Sequence, residues 1–121
     1  MVHFWSISCY ICHDVVEQVN VWREKYGQKM AFISVHQPRG PEELDIEKVT
    51  ADALGAMKMT QPCAIDSDHA IVRRFENQFV PGYYVFNRQH QLRHFQAGDK
   101  GYGRIEGAIA RIIDDLAEAV A

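Results

Sequence analysis

Two thiols separated by two residues stand in Cys9-Tyr10-Ile11-Cys12. The apolar, aromatic run Val2-His3-Phe4-Trp5 leads into them. Val15, Val16, Val19, Trp22 and Tyr26 follow at helical spacing. The pair therefore belongs to a strand-to-helix junction, where a Cys-x-x-Cys is a redox motif. Both sulfurs fit on the first helical turn, close enough to close a disulfide. The first sulfur meets the unpaired N–H groups and the positive end of the helix dipole, which favour a thiolate. The thiolate is the species that attacks a disulfide.

Two other chemistries share these residues. Cys9-Tyr10-Ile11-Cys12-His13 spells the Cys-x-x-Cys-His pattern of c-type haem attachment. In that arrangement His13 is an axial ligand, with Met57 or Met59 opposite. Zinc is the third possibility, with Cys9, Cys12, His13 and Cys63 as ligands. Cys63 has no Cys or His at close spacing and suits a small buried apolar residue better. His69, His90 and His94 lack the spacing of a metal set and read as surface or hairpin residues.

The elements that must position the pair come next. At 121 residues the chain makes one domain, residues 1–121, and its 47% hydrophobic content can fill one core. A net charge of -3 gives no electrostatic reason to expect nucleic acid. No apolar run approaches 18 residues, so the sequence carries no membrane-spanning helix. The pattern predicts a strand over residues 2–7, a helix from Cys12 to about Lys25 ended by Gly27, and a second strand over residues 30–35. His36 follows at the end of that strand, either as a loop histidine or as a residue lining the edge of the site. A helix is expected over residues 42–57, with Ile46, Val49, Ala53 and Met57 inward and a solvated acidic start at residues 42–47.

A short strand near residues 61–66 and a helix over 69–78, capped by Asp66-Ser67-Asp68, follow. Tyr83–Phe86 and Leu92–Gln96 form a hairpin, with one of Tyr83 and Tyr84 facing the core and the other exposed. The last helix begins near Tyr102 or Arg104 and turns Ile105, Ala108, Ile109, Ile112, Ile113, Leu116 and Val120 inward. Two parallel βαβ-type steps, an antiparallel hairpin and a closing helix make a three-layer α/β architecture.

The stretches His3-Phe4-Trp5-Ser6-Ile7-Ser8-Cys9, Asp66-Ser67-Asp68-His69-Ala70, Tyr83-Tyr84-Val85-Phe86 and Leu92-Arg93-His94-Phe95-Gln96-Ala97-Gly98 carry a more specific likeness. With them the chain resembles thioredoxin-fold proteins of the TlpA/ResA type, which are thiol-disulfide oxidoreductases. Residues 36–62 look like the helix these proteins insert after the second strand of a mixed sheet. The resemblance implies that Cys9 is the nucleophile and Cys12 the resolving thiol, and that no bound cofactor or metal is needed. It implies a cis-proline at Pro81, with Val80 free to pair with an extended substrate. Trp5, Tyr10, Ile11, Val80 and Pro81 are the implied substrate contacts. His3 stands where thioredoxins hold a buried carboxylate. A histidine there either relays the resolving thiol's proton or is a hydrogen-bonded core residue.

The chain departs from that pattern in several places. The intervening dipeptide is Tyr10-Ile11, not Gly-Pro, and Val15 replaces an acidic residue. Val16 and Glu17 stand where a helix-kinking proline is usual. The edge strand that precedes the first strand in the family has no counterpart in the sequence. Residues 30–35 are then expected to form a bare edge that pairs two copies of the chain. The partners implied are a protein disulfide or another oxidoreductase. The expected compartment is the cytoplasm, or the exterior or a membrane anchor if a further segment lies upstream.

Overall fold

Val2-His3-Phe4-Trp5 forms β1, whose side chains past Val2 are buried on alternating faces. In the computed structural model, which describes the backbone of residues 1–120 and the side chains of 1–115, β1 is the middle strand of five. The chain continues through α1 (Tyr10–Tyr26), β2 (Ile33–His36), a 3-10 turn (Pro41–Leu44), α2 (Ile46–Leu54) and β3 (Cys63–Ile65). It ends with α3 (Ala70–Phe75), β4 (Gly82–Phe86), β5 (Leu92–Ala97) and α4 (Tyr102–Val120). The sheet order is β3-β2-β1-β4-β5. The β1–β2 and β2–β3 pairs are parallel, while β1–β4 and β4–β5 are antiparallel.

Apolar spacing decides which helix covers which face. Val15, Val19 and Trp22 of α1 pack with Ile105, Ile109 and Ile112 of α4 over Tyr83 and Val85. Beside them Val16 meets Val49 and Ala53 of α2, with Trp5, Cys9 and Cys12 in the same cluster. Val72 and Phe75 of α3 cover Phe4, Val35 and Tyr84 on the opposite face. The three-layer expectation holds. Asp66 caps α3 by accepting the N–H groups of Ile71 at 3.0 Å and Val72 at 2.8 Å. Leu116 and Val120, expected on the inner face of α4, lie outside the described side chains.

Three local expectations change. Tyr83 and Tyr84 are both buried, because helices cover both sheet faces and alternation no longer separates core from solvent. Ile46 is exposed, since Asp45 caps α2 just before it and turns the first residue outward. The largest correction concerns residues 30–35. β2 is not an edge: β3 pairs alongside it through Ser34–Cys63, Val35–Ala64 and His36–Ile65. The dimer expected through that edge loses its premise. The strand at the edge on that side, β3, is three residues long, which limits its use as a pairing template.

Candidate active site

The turn between β1 and α1 presents the thiols. The Cys9 N–H donates to Ser6 O at 3.1 Å, which tightens the turn into the helix. Cys9 is the N-cap, and its sulfur accepts the Cys12 N–H at 3.1 Å. A sulfur at this point faces the positive end of α1, whose first turn carries no acidic residue. Cys9 and Cys12 are joined as a disulfide, with Cα atoms 5.2 Å apart. Cys12 is sealed from solvent, whereas Cys9 retains 5% exposure. The Cys9 sulfur lies 3.8 Å from Val80 O, beside the cis Val80–Pro81 bond. Tyr10, at 76% exposure, and Phe79, at 61%, stand out near this opening.

The inserted segment holds the turn from behind. Ser8 Oγ donates to Glu43 Oε2 at 2.9 Å, and the Arg39 N–H donates to the same oxygen at 3.0 Å. The Ile7 N–H donates to His36 Nε2 at 3.2 Å. Ser6 Oγ donates to Gln37 O. His36 and Glu43 are both buried, 3.3 Å apart. Burial pushes the His36 imidazole below its ordinary range, and the neighbouring Glu43 carboxyl opposes that shift. On the other side His13 bridges Cys9 O and Asp52 of α2.

Trp5 is fully buried in the cluster behind the disulfide. It backs the site and cannot be the substrate contact the resemblance implied. Its indole meets His36 edge-on at 4.9 Å. Ile11 is half-buried and packs between the two clusters of the helical face, while Tyr10 and Val80 border the opening and Pro81 is buried next to Val80. His36 ends β2 and is buried behind the site, so the reading of it as a loop histidine fails. Of the acidic run, Glu42, Asp45 and Glu47 are exposed as expected and Glu43 alone is buried. Glu43, Asp52 and Phe79 were not singled out. A lone aromatic directly before Val-Pro was the available signal for Phe79.

His3 lies on β1 with Nδ1 3.0 Å from Ser34 Oγ and its ring stacked on Tyr83. Its hydrogen-bond partner is a serine rather than a thiol. Burial pushes its imidazole down to about 3. The unfolded chain binds this proton near the ordinary value of about 6.5. His3 therefore favours folding fully above about 6.5, and that contribution is lost as pH falls towards 3, by up to ~1.4 kcal/mol per unit. Urea unfolding between pH 7 and 4 should fall less steeply for His3→Gln than for the wild type. Equal slopes would remove His3 as a source of acid sensitivity.

The rival donor sets do not fit this geometry. The sulfurs needed for haem attachment are bonded to each other, and both nitrogens of His13 are engaged. Met57 and Met59 are buried behind the disulfide. For zinc, the Cys63 sulfur points to Ala64 O at 3.8 Å, and burial pushes its thiol up. Among the described residues no three His, Cys, Asp or Glu side chains converge on one point.

No family model matches the chain. It is 44% identical over 113 residues to the thiol-disulfide oxidoreductase YkuV of Bacillus subtilis, covering 93% of this chain and 76% of that protein. The chain belongs to the thioredoxin-like thiol-disulfide oxidoreductases. A solution structure of a thioredoxin-like protein in its oxidised form superposes with a TM-score of 0.83 at 44% identity, covering 94% of this chain and 76% of that one. The thioredoxin-like protein SkfH of Bacillus subtilis is 27% identical over 110 residues, covering 91% of this chain and 76% of that protein. As in this family, the redox group is the disulfide itself. Among the described residues no helix is long and apolar enough to cross a membrane.

Proposed function

We propose that this thioredoxin-like oxidoreductase works as a reductant of protein disulfides, with Cys9 as nucleophile and Cys12 as resolving thiol. The asymmetry of the pair carries the assignment. Cys9 sits at the helix cap beside the exposed Tyr10 and Phe79, while Cys12 is closed off behind it. The Cys9 thiolate attacks one substrate sulfur, forming a mixed disulfide, and the other substrate sulfur leaves as a thiolate that takes up a proton. Cys12 then loses its proton and attacks the Cys9 sulfur. The second substrate thiol is released and the Cys9–Cys12 disulfide remains. Two electrons and two protons have passed to the substrate, and an external dithiol must recharge the pair.

Val80 supplies a backbone carbonyl next to the reacting sulfur, suited to pairing with an extended substrate segment. Tyr10 and Phe79 supply apolar surface beside it. A reductant needs a reducing pool to recharge it, so the same proposal puts the protein in the cytoplasm.

A redox titration of the Cys9–Cys12 pair against a dithiol/disulfide buffer, read by alkylation mass spectrometry, tests the direction. The expected result is one two-electron step near the thioredoxin value of about -270 mV. A potential near about -120 mV, typical of a dedicated oxidant, would overturn the reductase reading.

A further inference from the structure

Both ring nitrogens of His13 face acceptors. Nδ1 lies 2.9 Å from Cys9 O, and Nε2 lies 2.9 Å from Asp52 Oδ2. A carbonyl oxygen can only accept, so Nδ1 carries a proton. A carboxylate also only accepts, so the fully paired geometry is that of the doubly protonated ring. The backbone contact beneath it, His13 N–H to Cys9 O, is long at 3.4 Å, and the imidazole reinforces it.

We propose that His13 and Asp52 form a charge-holding pair, in which the inserted helix α2 keeps a cation on the nucleophile's own carbonyl and thereby favours the Cys9 thiolate. The inference rests on Cys9 being the nucleophile. His13 adds a full positive charge to the partial charge of the helix start, and a neighbouring imidazolium is an established way to favour a thiolate. Asp52 acts through His13 and is a positioning residue. His13 lines a cleft whose other charged groups are Glu17, Glu24 and Lys25 on α1 and Lys58 after α2. Asp52 also acts electrostatically on the buried His36 of β2. None of these groups hydrogen-bonds the His13 ring; Asp52 does. His13 and Asp52 are 30% and 19% exposed, so either can be replaced without opening the core.

The test is the pH profile of alkylation by iodoacetamide on the reduced protein, with the modified cysteine identified by mass spectrometry. His13→Gln should move the profile upward by about half to one pH unit, a roughly three- to tenfold slower reaction near pH 6.5. Asp52→Asn should shift it in the same direction by less. His13→Lys keeps a charge but cannot bridge the two acceptors, and should hold the wild-type rate to higher pH than histidine does.

A His13→Gln profile that superposes on the wild type would overturn the proposal. So would a His13→Lys profile displaced as far as His13→Gln, because that would assign the effect to the bridge and not to charge. Unfolding midpoints of the oxidised variants, expected to stay close to the wild type, confirm that each is folded. A wild type alkylated first at Cys12 would instead overturn the assignment of thiol roles, a result distinct from an unmoved profile at Cys9.

Discussion

Replacing Cys9 with serine should reduce turnover of a protein disulfide to background, a loss of about a thousandfold or more. Cys9 has to supply the attacking sulfur, and the buried Cys12 cannot reach a substrate in its place. Cys12→Ser should behave differently. The first attack still occurs, but nothing resolves the mixed disulfide, so the protein should accumulate as a covalent adduct through Cys9. Non-reducing electrophoresis and mass mapping would show it. Cys63→Ser should leave both results unchanged, because that thiol is half-buried on β3 and its thiolate is disfavoured. An adduct mapped to Cys63 would overturn the assigned roles.

Trp5→Ala should have the largest effect on stability, about 3–5 kcal/mol in urea unfolding of the oxidised protein. The indole is fully buried and stands at the meeting point of three elements. It shares a cluster with Cys9 and Cys12, with Val49 and Ala53 of α2, and with Met57 and Met59. Its removal leaves a hole bounded on one side by the redox pair and on another by the inserted segment. Trp5→Phe fills much of that volume and should recover more than half of the loss. A cost below about 1 kcal/mol for Trp5→Ala would show that the cluster collapses onto the gap.

Much of this site was legible because its signals are local. Cys9 and Cys12 are three residues apart, and the strand before them and the helical repeat after them need no long-range information. The same holds for the inner faces of α1 and α4, which follow a 3.6-residue period. What was not legible depends on distant partners. Glu43 sits in an acidic run that composition alone assigns to water. It is buried because Ser8, 35 residues away, and the Arg39 backbone offer donors.

His36 ends a strand, and only the β1–α1 turn arriving over it turns a loop histidine into a core residue. Tyr84 breaks the alternation rule because α3 lies on the face that would otherwise meet solvent. The pairing of β3 against β2 rests on three residues, too short for a sequence period to announce. Trp5 had the right neighbours, but its burial depends on α2 covering it.

The disulfide at the head of α1 also ties folding to electron flow. Folded and unfolded chains, each oxidised or reduced, form a closed thermodynamic square around the Cys9–Cys12 bond. The difference in unfolding free energy between the two redox forms must therefore equal the difference in reduction potential between the folded chain and the open peptide, with about 30 mV for each 1.4 kcal/mol. A fold that supports the closed bond more than the open dithiol makes the chain a donor of electrons. A fold that supports the dithiol makes it an acceptor. Two denaturation curves on the isolated protein, with no substrate present, report in which direction and how far folding moves that potential.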